Sequence, residues 1–178
     1  MTLFTVREAW TLVHGILFGG GFLLAFTGGL ALLYNLKADV LTTAGARRHV
    51  RWLKLAMLVM AGLSWLAVLS GTYISYPWYR AAPPEGTVDL ASYPRSYLKA
   101  SPDLAFWHTF GMEWKEHIAW FAPLLATAVA FVVWRYGEHL AYDNRLRQAL
   151  IVLFILAFAA AGIAGLLGAL VTKAAPVL

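Results

Sequence analysis

The chain has 178 residues, of which 61% are hydrophobic and only 13% charged, with a mean hydropathy of +0.66. Soluble domains are about 45–50% apolar and about 25% charged, so the composition excludes a water-soluble globule and points to membrane-spanning helices. With no cysteine, disulfides, thiolate metal sites, Cys-ligated iron–sulfur clusters and covalently attached c-type haem are excluded. The formal net charge of +5 raises nucleic-acid binding, but the basic residues sit at the ends of apolar runs, where a membrane accounts for them. No nucleic-acid partner is expected.

Four apolar runs are long enough to span a bilayer, at about 9–36, 52–78, 113–135 and 148–171, in a single transmembrane domain over 1–178. The first run is too long for the h-region of a signal peptide and no basic cluster precedes it, so a span is expected there and no cleaved leader. It carries "LVHGILFGGGF" and "TGGLA". The fourth carries "AFAAAGIAGLLGAL". Small residues four apart, as at Ala161, Gly165 and Ala169, let helices approach closely in lipid; the same glycine-rich surfaces also leave room for a flat cofactor.

The first connection holds Lys37, Arg47, Arg48, Arg51 and Lys54, and the third holds Arg135, Arg145 and Arg147. The second, at about 79–112 and reaching the start of the third span, mixes Arg80, Arg95, Lys99 and Lys115 with Glu85, Asp89, Asp103, Glu113 and Glu116. The positive-inside rule puts the first and third connections in the cytoplasm. The expected fold is therefore all-α: an integral membrane four-helix up-down bundle with both termini on the outer, periplasmic side of a bacterial-type cytoplasmic (inner) membrane. Ser101, Pro102 and Asp103 have the residue types of a helix start. A continuous helix from there to Trp134 would exceed the bilayer core, so the pattern predicts a short interfacial helix, a bend near Gly111, and then the third span, interrupted at Pro123. Trp10, Trp78, Trp107, Trp114 and Trp120 form an expected outer aromatic belt.

Ionisable groups inside spans are costly and are functional candidates by default. Of the five histidines, His14 in "LVHGILFGGGF" and His117 in "EWKEHIAWF" fall within spans. Both enter from the outer side and reach similar depths. In an up-down bundle the first and third spans are diagonal, with axes roughly 14 Å apart; that gap is wide enough for a macrocycle with one imidazole on each face. His14 shares a helix face with Gly21. The plainer reading of each histidine is a hydrogen bond to a backbone carbonyl or water. His108, nine residues before His117, is an alternative ligand. His49 in "GARRHVRW" has the surroundings of a lipid-headgroup surface. It and His139 lie outside the apolar region, so no second haem is expected.

On these residues and the four-span plan, the chain resembles the small membrane b-type cytochromes and the cytochrome b-like anchor subunits of respiratory complexes, although no long motif matches one family. The resemblance implies one haem b held by His14 and His117 as axial iron ligands, with its propionates toward Arg7, Arg80, Arg95, Lys99 or Lys115. It further implies quinone exchange near Glu113 and Tyr76, and an electron-transfer subunit in place of a stand-alone catalyst. The partners implied are the lipid bilayer, other membrane subunits of a respiratory or photosynthetic complex, and an outer-face redox protein. The alternative is an accessory subunit without cofactor. Glu113 and Glu116 also suit the positive end of a helix dipole without any further role.

Overall fold

The computed structural model describes residues 3–38 and 43–175, and among these the regular structure is helical with no strand. Four helices are long and apolar enough to cross a membrane: α1 (Val6–Tyr34), α2 (Ala44–Arg80), α4 (Pro102–Ala141) and α5 (Asn144–Ala174). A short helix, α3 (Pro94–Ala100), lies between α2 and α4. At about 1.5 Å per residue, each long helix exceeds the roughly 30 Å hydrocarbon core and projects past it.

The extra length comes from end structures that apolar periodicity does not register. α1 begins at a capping box: the Glu8 amide donates to Thr5 Oγ1 at 3.2 Å, and the Thr5 amide donates to Glu8 Oε2 at 2.7 Å. These reciprocal bonds satisfy two otherwise unpaired amides of the first turn. α5 begins at Asp143, whose Oδ1 accepts from the Leu146 amide at 2.9 Å. α3 starts with Pro94 in its first turn, where the missing N–H costs nothing.

The third span differs from the sequence expectation. The segment after Ser101 is not a separate interfacial helix; it runs into the span through a π-helical stretch at Trp107–Met112. That stretch includes Gly111, the expected bend. Packing decides the matter, because Gly111 sits against Val171 of α5, with an ideal Cβ 3.4 Å from its Cγ2. The helix is interrupted at Ala119 and Trp120, as expected from Pro123, which has no N–H to give the Ala119 carbonyl.

Seams run between α1 and α2, α2 and α4, α4 and α5, and α5 and α1. The main core fills the middle of this arrangement with Phe22, Leu33, Met57, Met60, Val129 and Phe154, each no more than 1% exposed. An ideal Cβ on Gly29 would lie 2.9 Å from Met57 Cε and 3.1 Å from Phe154 Cζ. That glycine serves close packing. Gly165 has the opposite setting: it is exposed, and no described atom lies within 4 Å of an added Cβ, whereas Ala161 one turn earlier packs against the core.

The end rich in arginine is tied by polar side chains. His49 Nε2–H donates to the Leu32 carbonyl at 2.6 Å, joining the start of α2 to the end of α1. The half-buried His49 ring is thus tied to the backbone of the neighbouring helix, while Arg47 and Arg48 beside it are exposed. Arg147 is 6% exposed and donates to the Leu140 carbonyl at 2.9 Å and to Asn144 Oδ1 at 2.8 Å. It binds the turn between α4 and α5. Gly137 follows the last regular α-helical turn with φ +20, and its missing Cβ leaves room for the Lys54 and Val50 side chains at 3.1 Å. Any other residue here meets both a strained backbone and a clash.

Candidate functional site

The opposite end of the helices carries a polar cluster bounded by three π-helical stretches, Val13–Gly20, Gly71–Ser75 and Trp107–Met112. A π turn inserts an extra residue into the α ladder and rotates the remainder of the helix about its axis. It weakens the helix and is found disproportionately at functional sites. One such stretch is present in each of α1, α2 and α4.

His14 lies in the first stretch. Its Nδ1–H donates to the Ala67 carbonyl of α2 at 2.7 Å, with Ser70 Oγ at 3.3 Å. A carbonyl only accepts, so the proton is on Nδ1 and the lone pair is on Nε2. Among the described residues Nε2 makes no hydrogen bond. The ring packs into the space left by Gly71, the first residue of the second stretch, where an ideal Cβ would lie 2.6 Å from His14 Cε1. Lys115 of α4 crosses Gly168 of α5, its Cε 2.9 Å from an ideal Cβ there, and the field of its ammonium reaches His14.

Around this pair lie further polar groups. Tyr79 Oη and His108 Nδ1 share a hydrogen bond of 2.9 Å, and both residues are buried. Tyr76 stacks on Tyr79 with ring centroids 6.3 Å apart and accepts from Arg80 Nη1 at 3.0 Å. Glu116 stands beside the Tyr76 hydroxyl, and the field of Arg95 from α3 reaches Tyr79 and His108. Beneath them, Leu98 of α3 packs with Tyr79, Met112 and Val171. Among the described residues, three buried atoms here have no hydrogen-bond partner: Ser75 Oγ, Arg95 Nε and Glu116 Oε1. Buried polar atoms are rarely left unpaired unless a water, an ion or a ligand serves them.

The residues singled out from sequence do not all meet. His14, Lys115, His108 and Tyr76 belong to the polar cluster. His117 is exposed, and its Nδ1–H donates to the Glu113 carbonyl one turn back at 2.7 Å. It follows Lys115 by two residues, about 200° around the helix, so it leaves α4 on the side away from the lysine. No hydrogen bond or ring contact joins His14 to His117 among the described residues. The Glu113 side chain is exposed, and the acid at Tyr76 is Glu116. Gly21 faces Leu63 of α2, with an ideal Cβ 3.5 Å from its Cδ1. Arg7 donates to the Ser92 carbonyl at 3.3 Å.

Sequence reasoning gave no role to Ser70, Gly71 or Gly168, and named Arg95 only among the basic residues that could meet a propionate. The Ser70–Gly71 pair had a signal, as a small polar step within an apolar span. Gly168 had none, because only the position of Lys115 gives it a purpose. Among the described residues no group of three or more His, Cys, Asp or Glu is arranged to hold a bare metal ion. The cluster offers hydrogen-bond donors and acceptors, and among the described residues the His14 Nε2 lone pair makes no hydrogen bond. Comparison with protein-family models, with curated proteins and with solved structures gives no match to this chain.

Proposed function

We propose that the chain is a membrane electron-transfer subunit, a b-type cytochrome with His14 and His117 as ligands to one haem iron. In this reading it is an up-down bundle with both termini outside, in a bacterial-type inner membrane, within a respiratory or photosynthetic complex. One observation carries the reading. Both imidazoles give Nδ1–H to a backbone carbonyl, which fixes the tautomer and leaves the Nε2 lone pair uncommitted. Metal-bound histidines are held in this way, with the far nitrogen anchored to a carbonyl or carboxylate. His49, in contrast, commits Nε2 to Leu32. Each imidazole taken singly therefore has the donor chemistry that haem iron takes, and haem would supply one-electron transfer when bound; the two rings do not face each other across the bundle, since His117 is on an exposed side of α4.

Within this reading, the Ala67 carbonyl and Gly71 orient His14, and the Glu113 carbonyl orients His117. Lys115 sets positive charge beside His14, where it suits a propionate. Tyr76 with Glu116 is the proposed place of proton exchange with quinone.

A second reading, an accessory subunit without cofactor, is favoured by the packing. Phe22, Met60 and Phe154 fill the bundle's middle, Lys115 packs on Gly168 of α5, and His117 is on an exposed side of α4. Purification from haem-replete membranes separates the two. A b-type reduced-minus-oxidised spectrum lost in His14→Ala and in His117→Ala supports the first. A folded, colourless protein supports the second.

A further inference from the structure

Away from the polar cluster, α2 and α4 form a groove of about 420 Å³ on the surface of the bundle. Its size falls in the range of small-molecule sites, about 300–1,000 Å³. The floor is made by Ala61, Gly62 and Ala130, and the walls by Leu58, Phe131 and Trp134. Trp65 closes one end by donating Nε1–H to Thr127 Oγ1 at 2.9 Å, which ties the two helices together. Lys54 stands at the other end, its ammonium 5.5 Å from the centre of the Trp134 ring. Among the described residues it has no carboxylate partner.

The charge does not end at Lys54. Arg47, Arg51, Lys54, Leu58, Gly62 and Trp65 succeed one another at steps of three or four residues, so they form one stripe along α2. Arg47 and Arg51 are exposed. A cationic head region thus leads directly into an apolar groove with aromatic walls and a floor of small residues. A neutral lipid or a neighbouring apolar helix would leave the cations at the mouth unanswered. Basic pockets between spans take anionic headgroups, at about 1 kcal/mol for each Lys or Arg near the surface.

We propose that this groove is a binding site for one anionic phospholipid, with its phosphate at Lys54 and Arg51 and an acyl chain along Ala61, Gly62 and Ala130. The site is independent of any haem. Gly62 provides a block, because no described atom lies within 4 Å of an added Cβ there, and leucine is a better helix former than glycine.

The test is native mass spectrometry of the full chain, released from detergent after incubation with phosphatidylglycerol or phosphatidylcholine of identical acyl chains. The expected result is preferential retention of one phosphatidylglycerol. Lys54→Gln lowers that retention about five-fold, the factor that corresponds to one lost cation. Gly62→Leu lowers it at least as much, with the helical circular-dichroism spectrum unchanged. Equal retention of the two lipids overturns the proposal. So does phosphatidylglycerol retention that is unchanged in both variants. A lipid-free dimer of the wild type that Gly62→Leu dissociates also overturns it, by making the groove a contact with a second copy.

Discussion

The imidazole of His14 occupies the space that a side chain at Gly71 would fill: an ideal Cβ there comes within 2.6 Å of Cε1, 3.1 Å of Nδ1 and 3.2 Å of Nε2. An alanine forces the ring off the Ala67 carbonyl. Gly71→Ala gains up to about 1 kcal/mol of helix propensity but overpacks a tight contact, at about 1–3 kcal/mol. Net destabilisation is expected, read as a lower melting temperature in detergent. The decisive comparison is the double variant. In a His14→Ala background the ring is gone, so Gly71→Ala is expected to turn neutral or stabilising. An equal cost in both backgrounds would show that the contact does not constrain position 71.

Tyr79 and His108 form the buried hydrogen bond between α2 and α4 at the polar end. Tyr79→Phe keeps the ring and its packing on Tyr76 but leaves a buried imidazole nitrogen without its partner. The expected loss is about 1–3 kcal/mol, measured by thermal unfolding against wild type. Tyr73→Phe is the control, because Tyr73 is exposed and its change is expected to be within about 0.5 kcal/mol.

Arg147 reads in the sequence as one more cytoplasmic charge. In the structure it is buried, and its guanidinium joins Leu140, Ala141 and Asn144 across the turn that precedes α5. Arg147→Ala is expected to cost about 1.5–3 kcal/mol, the range for hydrogen bonds to a charged group. Arg147→Lys keeps the charge without the planar fork, so it is expected to recover only part of the loss in melting temperature. Full recovery by lysine would mean that charge alone matters at this position.

The four apolar helices were legible because length and apolar content alone identify them, and an apolar run of that length in lipid pairs its backbone groups within itself as a helix. The break upstream of Pro123 was legible for a local chemical reason. The bounds were not, since the Thr5–Glu8 and Asp143 caps lie beyond the apolar runs. His14, His108, Lys115 and Tyr76 could be picked out as polar groups in or beside spans. Their neighbours could not, because Gly71 and Gly168 gain meaning only from which side chain lies across from them. The hydrogen bonds of His49 and Arg147 were not legible for a related reason. Both residues look like solvated basic residues until the backbone carbonyls they bind are in view.

The sharpest test of the proposed function is the reduced-minus-oxidised absorption spectrum of the purified full chain, taken from membranes with ample haem. The expected result is a b-type α band in the wild type that disappears in His14→Ala while the helical circular-dichroism spectrum persists. A wild-type protein that is folded and colourless would refute the haem assignment, and so would a haem band that survives the loss of both His14 and His117.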